Sequence, residues 1–236
     1  MKEIQIIDRS DMVSKLKQNL VIDPDKTAFI AVDMHRGHLD PAVATMPASE
    51  EDCRRVVLNT QRLFNFGRTL NMPIIHVILV HREIPGLGSE AMQNVFWKSV
   101  QTTLSEENRL SPGRKSTTRF HNLAGSAGTE IIPALKADTD YVINNKKRLD
   151  CFFGTDLEIL LRTLGTETVV LTGINTNTCV MNTAFSAFNR DFQVIVVSDC
   201  VASMYGEDLH VLGLENVKRC LGHVLTVAEL IEKTST

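Results

Sequence analysis

Short apolar runs alternate with longer segments of helical periodicity along most of the chain. The run "TAFIAVDM", which begins at Thr27, is apolar at nearly every position, as is typical of a strand buried on both faces. The segment "SEEDCRRVVLNTQRLFNFGRTL" follows it with apolar residues at helical spacing and an acidic first turn. Because this strand-and-helix unit recurs, the pattern favours a mostly parallel sheet with helices on both faces.

The same pattern indicates how many strands the sheet contains. Six runs are predicted to be strands, namely TAFIAVDM, PIIHVILV, DYVIN, TVVLTGI, FQVIVVSD and HVLT. Helical segments separate most of them, including "TDLEILLRTLG", which we expect to begin with Thr155 as its N-cap and to stop at Gly165. The prediction is a three-layer α/β/α fold of the Rossmann-like kind around a six-stranded sheet.

Length and composition limit the domain organisation. The chain has 236 residues, of which 43% are hydrophobic, and this suits one globular domain over residues 1–236. A polar stretch over 81–127 interrupts the alternation. Loops of this length inside compact domains are usually functional, so we predict a lid or insert there.

Charge and cysteine content exclude several classes of function. The net charge of −3 gives no reason to expect a nucleic acid or an anionic membrane as partner. No apolar run approaches the roughly 18 residues that a spanning helix needs. The first residues, "MKEIQIIDRSDMVSKLKQ", are too charged for a signal peptide. Five cysteines without a CxxC pair favour a reduced, cytoplasmic chain: Cys53, Cys151, Cys179, Cys200 and Cys220.

Chemically useful side chains stand at three predicted strand ends, where parallel sheets bind ligands. Cys179 opens a helix, and a helix N-terminus lowers the pKa of a thiol and offers N–H groups to an oxyanion. Asp33 ends the first strand and is either a general base or a structural residue that caps a loop or pairs with an arginine such as Arg36. Lys146 or Lys147 follows "YVIN", and spacing does not choose between them. Nucleophile, base and cation together indicate a cysteine hydrolase, whereas Cys179 alone could equally be a small buried hydrophobe.

These residues resemble the isochorismatase-like cysteine hydrolases, a superfamily that includes nicotinamidases, N-carbamoylsarcosine amidohydrolases, ureidoacrylate and biuret hydrolases, and isochorismatases. The resemblance rests on "TAFIAVDM", "VINNKKRLDCFFGTDLEILLRTLG" and "TVVLTGINTNTCVMNTAFSAFNRDFQVIVVSD". It implies that Cys179 is the nucleophile, that Asp33 is the general base, and that Lys146, six residues before Phe152, is the catalytic lysine. It also implies a cis peptide between Ile174 and Asn175.

The resemblance further implies an activity. A cysteine amidohydrolase would cleave a C–N bond of a small amide, carbamoyl or ureido compound through a thioester. Backbone N–H groups of Thr178 and Cys179 would hold the oxyanion. The alternative within the superfamily is an isochorismatase, which cleaves a vinyl ether and uses the aspartate without the thiol. A degenerate domain kept for binding is a third possibility, which the retention of Asp33, Lys146 and Cys179 disfavours.

The chain departs from the family pattern after the first strand. Relatives often have Asp-x-Gln, where this chain has Asp33, Met34 and His35. His35 either shapes the pocket or replaces a structural glutamine. The Asp-x-His spacing does not match a zinc site, so no metal and no other cofactor is expected.

The remaining expectations concern the pocket and the assembly. The 81–127 segment is rich in cations that would suit a substrate carboxylate, and Trp97 and Arg119 are its candidate pocket residues. The Asn175 side chain either enters the pocket or bonds a nearby loop, with the second favoured. The partner is a small-molecule substrate, and the family likeness implies a homo-oligomer, either a dimer or a tetramer.

Overall fold

A computed structural model describes residues 5–44, 46–86, 88–90, 95–96 and 122–234. Its central sheet has six strands, namely β1 Thr27–Val32, β2 Ile74–Leu79, β5 Tyr141–Lys146, β6 Thr168–Ile174, β7 Gln193–Ala202 and β8 His223–Leu225. They lie in the order β5-β2-β1-β6-β7-β8, and every pairing between them is parallel. The prediction of a six-stranded, mostly parallel sheet is therefore confirmed.

Side chains of the buried strands alternate between two apolar layers. All six residues of β1 are buried. Phe29 and Ala31 join the core on one face of the sheet, whereas Ala28, Ile30 and Val32 join the core on the other face. Because both faces need apolar cover, β1 is apolar throughout rather than at every second position.

Helices cover both faces and connect the strands. They are α1 Ser10–Gln18, α2 Arg36–Leu39, α3 Glu50–Thr69, α4 Leu157–Thr163, α5 Met181–Phe188, α6 Glu207–Cys220 and α7 Val227–Thr234. Short 3₁₀ turns lie at Pro24–Lys26, Ala127–Thr129 and Pro133–Leu135, and a π turn at Thr176–Val180 precedes α5. Among the described helices, none is long and apolar enough to cross a bilayer.

Local signals account for where α3 and α4 start and stop. Ser49 caps α3, since its hydroxyl accepts a hydrogen bond from the N–H of Asp52 at 3.1 Å. The prediction of Thr155 as the N-cap of α4 was wrong by one residue, because the N-cap is Asp156, although the Thr155 hydroxyl accepts from the N–H of Leu157 at 3.3 Å. Gly165 follows α4 with φ of 67°, the left-handed conformation expected of a helix stop.

The 81–127 segment is only partly within the described residues. Its first part forms a two-stranded antiparallel ribbon, β3 Glu83–Ile84 with β4 Gly88–Ser89. Its last part returns to the sheet edge, where His81 forms a bridge with Leu123. Residues 91–94 and 97–121 lie outside the described part, so the lid stays a prediction.

A close approach of two backbones makes Gly173 a sensitive position. The Cβ of an alanine there would lie 1.9 Å from the carbonyl oxygen of Val32, at a φ of 111°. We expect Gly173→Ala to lower the free energy of unfolding by about 3 kcal/mol or more, because backbone cannot move aside as a side chain can. Equilibrium urea unfolding measures this loss.

Gly165→Ala is the matched control for that measurement. Gly165 also has a positive φ, but no atom lies within 4 Å of its added Cβ. Only conformational strain remains there, which costs about 1–2 kcal/mol. Equal losses for the two variants would contradict the steric account of Gly173.

Candidate active site

Asp33 directly follows the last residue of β1. It has a φ of 53°, and its N–H still donates to Val77 O at 2.9 Å as if the strand continued. Its side chain is completely buried. Oδ1 accepts the backbone N–H of Leu79 at 2.9 Å, and Oδ2 faces Lys146. A buried carboxylate needs such partners, because without them burial costs several kcal/mol.

A β-bulge directs Lys146 toward Asp33. Between the pairs Val77–Ile143 and Leu79–Lys146, one residue of β2 faces two residues of β5. The additional residue places Lys146 on the same face as Ile143, whereas regular alternation would put it on the opposite face. Lys146 Nζ lies 2.5 Å from Asp33 Oδ2 and 3.5 Å from the sulfur of Cys179, and its side chain is fully buried.

Lys147 points away from this pair. Its Nζ donates to the carbonyl oxygen of Val80 at 2.5 Å and pairs with Glu90 at 2.8 Å. The structure therefore brings Lys146 together with Asp33 and Cys179, and Lys147 with Glu90. Spacing alone left these lysines equivalent.

Cys179 lies in the π turn that begins the helical segment after β6. Only 4% of Cys179 is exposed. Burial raises the pKa of its thiol to about 12, the nearby charge of Asp33 and a hydrogen bond with that carboxylate add to the rise, and Lys146 only partly opposes it. The expectation that the start of a helix lowers the pKa of this thiol is thus wrong for this arrangement, because removal from water outweighs the single nearby cation.

Asp33 and Lys146 form an ionised pair. Burial alone would raise the pKa of Asp33, but the charge of Lys146, the nearby His35 and His38 rings, and a hydrogen bond from Lys146 together hold the pKa below its ordinary 3.8. Burial would likewise lower the pKa of Lys146, but Asp33, together with the nearby Cys179 and Cys151, instead raises it above 10.5. At neutral pH the site therefore contains a carboxylate, an ammonium and a protonated thiol.

The raised pKa of Cys179 predicts a specific pH dependence of stability. The folded thiol keeps its proton up to about pH 12, whereas the unfolded thiol loses it near 9.0. The unfolded chain thus binds fewer protons above 9.0, and wild type should lose stability relative to Cys179→Ser by up to about 1.4 kcal/mol per pH unit. Urea unfolding of both proteins in reductant, below and above pH 9.0, tests this. A stability difference independent of pH would contradict the burial effect.

The backbone before Cys179 has several features that bear on an oxyanion site. The Ile174–Asn175 peptide bond is cis, at the position that the resemblance implied. The Asn175 side chain accepts the N–H of Met204 at 2.9 Å, so it bonds a loop, as favoured above. The N–H of Thr178 donates to the carbonyl oxygen of Asn175 at 3.1 Å. An oxyanion would have to share or replace that bond, and the role of Thr178 stays a prediction.

Of the three pocket residues predicted from the sequence, the structure describes one, His35. His35 is completely buried at the start of α2, and the charges of Asp33 and Lys146 both act on its ring. Trp97 and Arg119 lie outside the described residues. Within the described ranges, no group of three or more His, Cys, Asp or Glu side chains is arranged to hold a metal ion.

Two groups at this site, the backbone N–H of Leu79 and the side chain of His38, were not predicted from the sequence. The Leu79 N–H that binds Asp33 is a backbone group, and only the register of β1 with β2 places it there. His38 lies beside His35, with ring centroids 4.8 Å apart. The pair His35 and His38 at i and i+3 is a helical spacing that could have indicated this contact.

Comparison with known proteins identifies the family. The isochorismatase domain model matches residues 27–229. Ureidoacrylate amidohydrolase of Methylobacterium radiotolerans is 35% identical over 104 residues, covering 44% of this chain and 40% of that protein. Maleamate amidohydrolase of Pseudomonas putida is 28% identical over 120 residues, covering 51% of this chain and 56% of that protein.

The matches thus span about half the length of these curated relatives. A solved structure supports the match to the isochorismatase domain along nearly the whole chain. An isochorismatase family protein from Burkholderia thailandensis is 28% identical, with a TM-score of 0.67 and coverage of 92% of this chain and 98% of that one. Together, the domain match and the shared parallel sheet lead to one conclusion: the chain belongs to the isochorismatase family.

Proposed function

We propose that this protein is a hydrolase that cleaves a C–N bond of a small amide, carbamoyl or ureido compound through a Cys179 thioester. The observation that carries the proposal is the buried contact of Lys146 Nζ with both Asp33 and the sulfur of Cys179. The relatives named as ureidoacrylate and maleamate amidohydrolases support the substrate class.

Proton transfer is the first requirement of this mechanism. The thiol is protonated and Asp33 is a weak base, since its pKa is depressed by Lys146. A free thiolate is therefore not formed in advance. Asp33 takes the proton as the sulfur attacks the carbonyl carbon, and Lys146 stabilises both the emerging negative sulfur and the carboxylate.

Attack gives a tetrahedral intermediate with negative oxygen. Backbone N–H groups at the start of the helical segment, those of Thr178 and Cys179, are the proposed donors to that oxygen. Asp33 then returns its proton to the departing nitrogen, the C–N bond breaks, and an amine or ammonia leaves with the thioester formed. Water, deprotonated by Asp33, hydrolyses the thioester and restores the thiol.

Ammonia release by the purified protein tests the proposal. The panel contains nicotinamide, N-carbamoyl amino acids, ureidoacrylate, biuret and maleamate, and isochorismate cleavage is followed separately. Turnover of at least one nitrogen compound is expected. Cleavage of isochorismate that survives loss of the thiol would instead support vinyl ether hydrolysis, and an absence of ammonia from every compound would contradict the proposed substrate class.

A further inference from the structure

His35 carries buried polar atoms that the described protein does not satisfy. No part of its surface is exposed, and neither ring nitrogen makes a hydrogen bond of good geometry within the described residues, although a looser contact with the backbone of Gly128 raises the pKa of the ring. A buried polar group without a partner costs about 1–3 kcal/mol. A cost of this size at the edge of a candidate active site calls for a ligand that removes it.

The surroundings of the ring distinguish its two nitrogens. A methyl group on Gly37 would lie 3.1 Å from His35 Nδ1 and 2.8 Å from the carbonyl oxygen of Gly128. Nδ1 therefore faces the backbone of α2 and of Gly128. Nε2, at the other end of the ring, has no protein group assigned to it among the described residues.

The ring also lies within electrostatic range of Asp33 and Lys146. His35 is two residues beyond Asp33, and the charges of both Asp33 and Lys146 perturb its ionisation. It packs against His38 in a tilted arrangement, with ring centroids 4.8 Å apart and an interplanar angle of 34°. This contact and burial fix the imidazole, so it can orient a bound molecule.

The ring is neutral at physiological pH. Burial lowers the pKa of His35 to about 3, and the neighbouring His38 adds to the decrease, while Asp33 opposes it. A neutral imidazole donates one hydrogen bond and accepts another. It offers no charge to a carboxylate, and the Asp33 carboxylate nearby would repel one.

We propose that Nε2 of His35 hydrogen-bonds an uncharged carbonyl or amide group of the substrate next to the scissile carbonyl, and so selects ureide-like compounds over simple monoamides. This inference rests on the proposed function for the identity of the scissile bond. The binding contact itself can be measured without any turnover.

Binding of biuret to a Cys179→Ala protein is the test, because biuret has two carbonyl groups and this background cannot form a thioester. Calorimetry compares that background with the same protein carrying His35→Leu or His35→Gln. We expect His35→Leu to weaken biuret binding by about 10- to 100-fold, since a polar group is left unpaired. His35→Gln should recover most of the affinity because its amide can also donate and accept.

His76→Gln is the matched control. His76 is also buried, but its Nε2 bonds Asp140 at 3.1 Å. Loss of this hydrogen bond in His76→Gln should lower the stability of the protein without changing its affinity for biuret. Should His35→Leu fail to fold, His35→Met replaces it as an unbranched apolar side chain.

The outcomes separate this inference from the proposed reaction. Weakened binding in His35→Leu with recovery in His35→Gln supports the inference, even if wild type releases no ammonia and the proposed reaction fails. Equal biuret affinity with leucine and histidine at position 35 overturns it, and so does a lack of biuret binding to the protein that retains His35. Where wild type hydrolyses biuret, His35→Leu in the protein that retains Cys179 should raise KM much more than it lowers kcat.

Discussion

Cys179→Ala is expected to lower kcat/KM for the amide or ureido substrate by about 10⁴-fold or more, because it removes the atom that forms the thioester. The sulfur lies 3.5 Å from Lys146 Nζ, so the variant also removes the group that this cation would stabilise during attack. Steady-state ammonia release with wild type and variant measures the loss. Mass spectrometry of the wild-type protein during turnover should detect the acyl adduct on Cys179.

Cys200→Ala is the control for the chemical role of the thiol. Cys200 is fully buried in β7 and packs in the core on the face of the sheet opposite to Cys179. Its replacement should cost some stability and leave kcat/KM near the wild-type value. Retention of ammonia release by Cys179→Ala would remove the nucleophile from the mechanism, and an equal loss in Cys200→Ala would attribute the effect to folding.

Lys146→Met is expected to impair both stability and activity. It leaves the buried Asp33 carboxylate with the Leu79 N–H at 2.9 Å and without its cation. Breaking a buried ion pair by removing one partner costs about 3–5 kcal/mol. Loss of the cation should also lower kcat/KM by about 10²- to 10⁴-fold, since neither the carboxylate nor the emerging thiolate is stabilised. Urea unfolding and ammonia release measure the two effects.

The double variant Asp33→Asn with Lys146→Met separates these effects. Both buried charges are then absent, so stability should recover relative to either single variant. Activity should not recover, because no base remains to take the thiol proton. Strictly additive stability losses in this double-mutant cycle would show that the contact between Asp33 and Lys146 contributes no coupling energy.

Much of the fold was readable from local patterns. The apolar run of β1 and the helical spacing of α3 each depend on which faces are buried, and periodicity reports this directly. Parallel strands align their carboxyl ends, so Asp33 and the residues after β6 were expected at one edge. The predicted strand ends were less accurate. The strand β5 was predicted to end at Asn144, whereas it continues to Lys146.

Details of the site were less accessible because they depend on partners distant in sequence. Cys179 was predicted to open a helix, whereas a π turn already begins at Thr176. The protonated state of Cys179 follows from its nearly complete burial, and no sequence window contains that information.

By itself, the sequence determined the alternation of buried strands and amphipathic helices, and with it the common edge at which Asp33 and Cys179 meet. Three features depend on the tertiary structure alone. They are the bulge that turns Lys146 toward Asp33, the hydrogen bond from the Leu79 N–H to Asp33, and the raised pKa that keeps the Cys179 thiol protonated. The reason is physical. Periodicity is a local property of the chain, whereas register, enclosure and electrostatic environment arise only when segments far apart in sequence pack together.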